Sequence, residues 1–279
     1  MSEAVRQIDA YAVIGNPVAH SLSPQIHRSF AEQSNQSISY EAIETPHNAL
    51  EALLYALQQQ GFKGLNVTVP FKQRVWELCD ERSPRADDAK AVNTLIFLPD
   101  GNLAGDNTDG VGLTRDLVDN LRVLMKHRKI LILGAGGAVR GVLGPILAHS
   151  PRILTIANRS LDKAKALAED FQNLGEIQVS AYNDLGSDNY DLIINGTSAG
   201  LHDEVPPIPN GVLGVNSICY DMMYRRNGRT AFVDWALLHG AVRAFDGLGM
   251  LVEQAAESFR IWRGIQVNTA EAIESLRTE

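Results

Sequence analysis

Lys129-Ile-Leu-Ile-Leu-Gly134-Ala-Gly136-Gly137-Ala-Val-Arg-Gly141 is a short apolar, β-rich run that ends in a cluster of glycines. An apolar, helix-like segment follows to about His149, and a second β-rich run, Ile153 to Ala157, leads into Asn158-Arg159-Ser160. Strand, glycine turn, helix and strand within roughly 30 residues are the parts of a dinucleotide-binding half. Glycines let the backbone turn tightly and approach a pyrophosphate with no Cβ in the way. The helix N-terminus then offers free N–H groups and a partial positive charge to that anion. Gly134 and Gly136 occupy the first two positions of the G-x-G-x-x-G fingerprint, and Val139 stands at the third. A tight strand-to-helix turn without a ligand is the alternative reading; strands on both sides at the right spacing favour the nucleotide.

The tip of the second strand bears on which nucleotide. A carboxylate there binds the ribose 2′-OH of NAD. This chain has Asn158, Arg159 and Ser160, with Lys163 close behind and no acid at the tip. A guanidinium grips phosphate oxygens in a fork, so the pattern points to a 2′-phosphate and to NADP rather than NAD. The other reading of Arg159 is a solvated loop arginine.

The 279 residues suit one large domain or two ordinary ones, and a 45% apolar composition supplies proper cores. No run of about 18 apolar residues is present, so no spanning helix is expected. Met1 to Asp9 is polar and lacks a signal-peptide apolar region. Cys79 and Cys219 lie far apart and form no CxxC, which fits two free thiols in a reducing cytoplasm. A net charge of −8 argues against a nucleic-acid footprint. Monomer and homodimer are both open.

Outward from the glycine turn, strands and helices alternate. Tyr11 to Gly15, Ser39 to Thr45 and Gly64 to Val69 read as strands, with helices from Ser23-Pro24 to about Ser34 and over Asn48 to Gln60. Ser23 is a good N-cap and Pro24 a good first helical residue. Helical segments follow to about Lys90, then a hairpin, Asn93 to Leu98 and Asn102 to Ala104, turns at Pro99-Asp100-Gly101. Asp109 reads as the cap of a helix beginning near Gly112. Further strands are predicted at Ile177 to Ala181, Asp191 to Asn195, Ser217 to Tyr220 and Ala241 to Phe245, and helices over Leu248 to Gly264 and Asn268 to Arg277. The pattern defines an α/β protein with mostly parallel sheets covered on both faces. Ligands in such sheets gather at strand C-termini, where Ser21 and Ser23, Asn66 to Lys72, Asn195 to Ser198 and Tyr220-Asp221 all fall.

Asn66 and Thr68 are two apart in a strand and so share a face, with Lys72 just past Pro70. Such a group can address hydroxyls and an oxygen that must gain or lose a proton, although a polar strand end with a solvated lysine is common.

Gly-Asn-Pro-Val-Ala-His-Ser-Leu-Ser-Pro at 15–24, Asn-Val-Thr-Val-Pro-Phe-Lys at 66–72, Ala-Val-Asn-Thr-Leu at 91–95, Gly-Asp-Asn-Thr-Asp-Gly at 105–110, Gly-Ala-Gly-Gly-Ala at 134–138, Tyr-Asp-Met-Met-Tyr at 220–224 and Asp-Gly-Leu-Gly-Met-Leu-Val-Glu-Gln at 246–254 together resemble the shikimate dehydrogenases, in order and over nearly the whole chain. The resemblance implies reversible NADPH-dependent reduction of 3-dehydroshikimate to shikimate, on the route to aromatic amino acids. It also implies a substrate-binding domain over 1–108 and 247–279, to which the last helices return, and a Rossmann-type NADP domain over 109–246. By the same resemblance Lys72 is the catalytic lysine, paired with Asp109. A positioned proton donor lowers the barrier to alkoxide formation, but a nearby carboxylate raises a lysine pKa, so acid, base and positioning charge stay open for Lys72. Ser21 and Ser23, with Tyr220 alongside, match the residues that bind the substrate carboxylate. Asn66, Thr68, Asn93, Asp109 and Gln254 match those that read the ring hydroxyls. Gly134, Ala135, Gly136, Gly137, Ala138, Asn158, Arg159, Ser160, Lys163, Ile218 and Gly247 match the cofactor site. Val139 departs from a small or hydroxyl residue, Gly196 from an alanine and Ser160 from a threonine. An NAD-preferring quinate/shikimate dehydrogenase and a silent nucleotide-binding paralogue are the rival readings.

His20, His27 and His47 show no metal-ligand spacing with acids, and no metal is expected. His202-Asp203-Glu204 reads as a solvated loop, and Trp76, Trp235 and Trp262 as partly buried core.

Overall fold

The computed structural model describes residues 8–186 and 189–278; the polar start of the chain, residues 1–7, lies outside them. The chain forms two compact units, one up to Thr108 together with Gln254–Ala272, the other Asp109–Glu253 with the residues from Ile273 on.

In the first unit, β1 (Asp9–Gly15), α1 (Ser23–Gln33), β2 (Ile38–Glu44), α2 (Leu50–Gln59), β3 (Gly64–Val67), α3 (Lys72–Leu78), β4 (Glu81–Arg82), α4 (Pro84–Ala89), β5 (Thr94–Phe97) and β6 (Leu103–Asp106) follow in order. The sheet runs β2-β1-β3-β5-β6-β4. The β2, β1 and β3 strands are parallel, β5 and β6 form the expected antiparallel hairpin, and β4 pairs parallel with β6. Ala12, Ile14, Leu65 and Val67 alternate onto one face and bury against Leu50, Leu54, Leu57 and Val75, the period-two pattern of a covered sheet. The helix over Ser23 to Gln33 starts one residue earlier than expected. Ser23 is its first residue rather than its cap; Leu22 holds the cap position without a side-chain bond, and the Ser21 hydroxyl accepts the Ser23 N–H at 3.2 Å.

The second unit opens with α5 (Asp109–Arg115), in which Asp109 is a first-turn residue rather than a cap, and which runs into a π-helical turn over Asp116–Asn120. Then come β7 (Lys129–Leu133), α6 (Gly137–Ala148), β8 (Ile153–Ala157), α7 (Leu161–Asp170), β9 (Gln178–Ser180), β10 (Tyr190–Asn195), β11 (Leu213–Asp221), α8 (Ala231–Leu238), β12 (Arg243–Phe245), α9 (Leu248–Arg263) and α10 (Ala270–Thr278). Its sheet, β12-β11-β10-β7-β8-β9, is parallel throughout. The strand order reverses between β7 and β10, and such a switch point is where doubly wound sheets bind nucleotides. Ile130, Ile132, Leu154, Ile156, Leu192 and Ile194 fill one side, and Leu131, Leu133, Ile193 and Cys219 the other, as a sheet buried on both faces requires.

The division between the units falls inside α9, between Glu253 and Gln254. Met250 belongs to the second unit's core, and Asn120 Nδ2 donates to Glu253 Oε1 at 2.9 Å. Past that point α9 lies on the first unit's sheet. Trp262 Nε1 donates to the Leu95 carbonyl at 3.0 Å and stacks on Tyr11. A Cβ on Gly64 would stand 2.5 Å from that indole nitrogen, so the strand glycine admits the helix. Both cysteines are buried and free, Trp76, Trp235 and Trp262 are partly buried, and Asp203 and Glu204 are exposed; the side chain of His202 lies outside the described residues.

Candidate functional site

The C-terminal ends of β1 and β3 are knitted together. Asn16 N–H donates to the Val69 carbonyl, Thr68 N–H to the Ile14 carbonyl, and Asn16 Nδ2 to the Thr45 carbonyl. The loop with Ser21 and Ser23 thus leaves one strand end, and Thr68 to Lys72 leave its neighbour. Lys72 is the half-buried first residue of α3, and its carbonyl accepts the Val92 N–H at 2.9 Å, which brings the lysine turn to the edge of Asn93.

Asn93 is buried and central. Its Nδ2 donates to Thr108 Oγ1 at 2.9 Å and to Gln254 Oε1 at 3.3 Å, and its Oδ1 accepts from Thr108 N–H and from the Thr94 hydroxyl, both at 2.9 Å. The Thr108 hydroxyl also reaches Gln254 Oε1 at 3.4 Å. Two carboxamides and a hydroxyl therefore gather at one end of the sheet, with Gln254 half-buried and partly open to solvent. Thr108 lies in the Gly-Asp-Asn-Thr-Asp-Gly motif at 105–110, and its only mark in the sequence is its place immediately before Asp109.

Asn66 sits deeper than the sequence reading implies. It is 6% exposed. Its Oδ1 accepts from the Tyr40 hydroxyl at 2.7 Å and faces His27 Nε2 at 3.2 Å, while its Nδ2 donates to the Asn93 carbonyl at 3.1 Å and to Ser258 Oγ at 3.0 Å. Both ends of the amide make hydrogen bonds inside the protein, directly behind Asn93. The Ser23 side chain, also buried, bonds the Tyr40 phenol.

His27 is fully buried, stacked on Tyr40 with ring centres 4.2 Å apart, and flanked by Phe30, Phe259 and Trp262. Burial lowers its pKa from 6.5 to about 3, opposed by the Asn66 bond, so it is a neutral imidazole that donates to Asn66 Oδ1. The unfolded chain takes up the histidine proton near 6.5 and the folded chain only near 3. The unfolded state therefore binds more protons throughout that window, and stability falls as pH drops through it. Urea denaturation of wild type and His27→Asn at pH 7, 6 and 5 is expected to show wild type losing up to about 1.4 kcal/mol more per pH unit below 6.5; a pH-independent difference would contradict a neutral His27.

In the second unit the glycine turn joins β7 to α6. Gly134 has φ +105°, in the left-handed region that glycine favours. Gly136 and Gly137 are exposed, and a Cβ on either would meet nothing within 4 Å. The twelve-residue α6 begins there with no side-chain cap, so open space lies against the N-terminus of a long helix, as a pyrophosphate needs. Ala138 is exposed and Ala135 packs against the core. Asn158 at the end of β8 donates to the Ser160 carbonyl at 2.9 Å, and Arg159, Ser160 and Lys163 are exposed around the start of α7. Arg159 lies close enough to Tyr182 to oppose the rise that burial gives its phenol pKa. These residues fit a dinucleotide carrying a 2′-phosphate.

Tyr220, Ile218 and Gly247 are held in the packing of the second unit. Tyr220 is fully buried in the core under the sheet, its hydroxyl donating to Asp116 Oδ2 at 2.7 Å, and it has no surface to offer a substrate. Its motif partner Tyr224 is the half-buried one. Ile218 lies within β11, three residues short of the strand's end, and packs against the same core. Gly247 is buried, and a Cβ there would be 2.4 Å from the Met222 carbonyl, so it serves close backbone packing. Among the described residues no group of histidine, cysteine and acidic side chains could hold a metal, and no helix is long and apolar enough to cross a membrane.

A parallel sheet in 3-2-1-4-5-6 order with an open glycine turn at its switch point defines a dinucleotide-binding unit, in a chain that also forms a second α/β unit. Residues 13–95 match the family model of the shikimate dehydrogenase substrate binding domain, 116–202 that of shikimate / quinate 5-dehydrogenase, and 247–277 that of the shikimate 5'-dehydrogenase C-terminal domain. A shikimate dehydrogenase (NADP(+)) from Alkalilimnicola ehrlichii is 51% identical over 271 residues, 97% of this chain and 99% of the relative. The crystal structure of an Ael1 enzyme from Pseudomonas putida is similar at TM-score 0.92 with 45% identity, over 96% of this chain and 98% of that one. A Thermus thermophilus shikimate 5-dehydrogenase in complex with NADP(H) and shikimate is similar at TM-score 0.86 with 32% identity, over 97% and 99% of the two chains. The chain belongs to the shikimate dehydrogenase family.

Proposed function

We propose that this protein catalyses the reversible NADPH-dependent reduction of 3-dehydroshikimate to shikimate, with substrate held by the first unit and dinucleotide by the second. The observation that carries the reading is the group of Asn93, Thr108 and Gln254 one residue from the backbone contact of the Lys72 turn. The relatives' names and the nicotinamide nucleotide and shikimate in the Thermus thermophilus complex support it. Two buried free thiols accord with a cytoplasmic enzyme.

NADPH, when bound, supplies a hydride to the ketone carbon. The chain's residues handle everything else. The Lys72 ammonium meets the charge that grows on the carbonyl oxygen, and hands over a proton or holds the negative oxygen. Asn93, Gln254, Thr68 and the Asp109 carboxylate hydrogen-bond ring hydroxyls and fix which carbon faces the cofactor. The Ser21 and Ser23 hydroxyls and the N-terminal N–H groups of the eleven-residue α1 receive the ring carboxylate. Gly136, Gly137 and the start of α6 hold the pyrophosphate, and Asn158, Arg159, Ser160 and Lys163 hold the 2′-phosphate.

Purified protein given shikimate and NADP is expected to form reduced nicotinamide together with 3-dehydroshikimate, identified by chromatography against a standard. No such product from folded protein that still binds NADP would exclude the reading and leave a different ring substrate or a binding role.

A further inference from the structure

Two departures from the family pattern, Val139 and Gly196, meet in space. Val139, in the place of the third fingerprint glycine, lies on the first turn of α6 and is fully buried. Gly196 directly follows β10, and a Cβ built on it would stand 2.5 Å from Val139 Cγ2, 3.1 Å from Met222 Sδ and 3.5 Å from the Leu133 carbonyl oxygen. Real Cβ atoms do not approach this closely, and Val139 is itself packed in the core cluster with Val142 and Ile132. Gly196 also touches the nucleotide turn from the other side. Its carbonyl oxygen is 3.2 Å from where a Cβ on Gly134 would be, and its N–H donates to the Leu133 carbonyl at 2.9 Å. Leu133 and Asn195, the residues just before Gly134 and Gly196, are register partners at the switch point.

The third glycine of the fingerprint exists to let helix and strand pack closely. With valine there, α6 needs the missing volume elsewhere, and the end of β10 supplies it. We propose that Gly196 is a positioning residue for the dinucleotide. It accepts the Val139 side chain and so sets the height of Gly134–Gly137 and the first turn of α6 against the sheet, where the pyrophosphate is bound. The proposal rests on the NADP reading above. A side chain at 196 pushes on Val139, the helix start lifts, and the N–H groups aimed at the pyrophosphate lose their direction. The shikimate residues in the first unit are not addressed.

The test is NADP affinity, by quenching of tryptophan fluorescence and by KM, for wild type, Gly196→Ala, Val139→Ala and the double variant, with thermal midpoints recorded for each. Gly196→Ala is expected to weaken NADP binding and raise its KM by about tenfold or more, with the KM for shikimate within about twofold of wild type. Adding Val139→Ala removes the methyl groups in the way, and the double variant is expected to recover to within about threefold of wild type. If Gly196→Ala does not fold, recovery of folding and NADP binding in the double variant carries the same conclusion. Unchanged NADP affinity in folded Gly196→Ala, or a double variant as impaired as the single one, overturns the proposal and leaves the cofactor reading in place. Folded wild type that binds no NADP overturns both.

Discussion

Lys72→Ala is expected to lower kcat by about 10²- to 10⁴-fold, the range that a positioned proton-transfer group contributes. The KM for NADP should move by less than about threefold, because the nucleotide turn belongs to the other unit. Stability should also hold. Lys72 is a half-buried first-turn residue whose fixed backbone contact, from Val92 N–H to its carbonyl, survives truncation of the side chain, and alanine is a good helix former. Steady-state kinetics with shikimate and NADP, with urea midpoints alongside, separate these effects. Lys72→Met keeps the aliphatic stem without the charge and should fall as far as alanine. Lys72→Arg keeps a charge on a different, non-titrating head; recovery there would favour the electrostatic role over proton transfer. Wild-type turnover in Lys72→Ala would remove the catalytic assignment, whatever the fold.

Arg159→Ala is the second large effect. A hydrogen bond to a charged group contributes about 1.5–3 kcal/mol, and each 1.4 kcal/mol is tenfold, so the KM for NADP should rise about 10- to 100-fold. NAD, which has no 2′-phosphate, should be almost indifferent. The guanidinium is exposed at the end of β8 and next to Tyr182, so its removal exposes no core. Asn158→Asp puts a carboxylate where a 2′-OH is bound in NAD enzymes and should push preference further toward NAD. Equal losses for both cofactors in Arg159→Ala would mean that Arg159 supports the loop and does not read the phosphate.

The second unit was legible because its signals are local. The run from Lys129 to Ala157 carries strand, turn, helix and strand within one stretch, and the parallel sheet follows from burial on both faces. The first unit's site was only half legible. Gln254 and Asn93 are far apart in sequence and meet because the second half of α9 lies on the first unit's sheet; no periodicity in Leu248 to Arg263 announces that destination. Tyr220 and Tyr224 show the limit of motif reading. Both are tyrosines in one five-residue motif, yet strand alternation and the Asp116 bond place the first inside the core. Asn66 is expected to share a strand face with Thr68, but β3 ends at Val67, and what faces Asn66, His27, Tyr40 and Ser258, comes from three other elements. The sequence gives His27 no role beyond lacking metal-ligand spacing; its burial among aromatic rings and its bond to Asn66 come from the packing of other elements around it.

The measurement that tests the central claim most directly is the initial rate of nicotinamide reduction with shikimate, using NADP and NAD in parallel over a range of concentrations. The account predicts turnover with both substrates saturable and kcat/KM for NADP at least about tenfold above that for NAD. Turnover that prefers NAD would contradict the role given to Asn158, Arg159 and Lys163. Absence of turnover with either nucleotide, from folded protein, would contradict the assignment of Lys72 and the substrate residues.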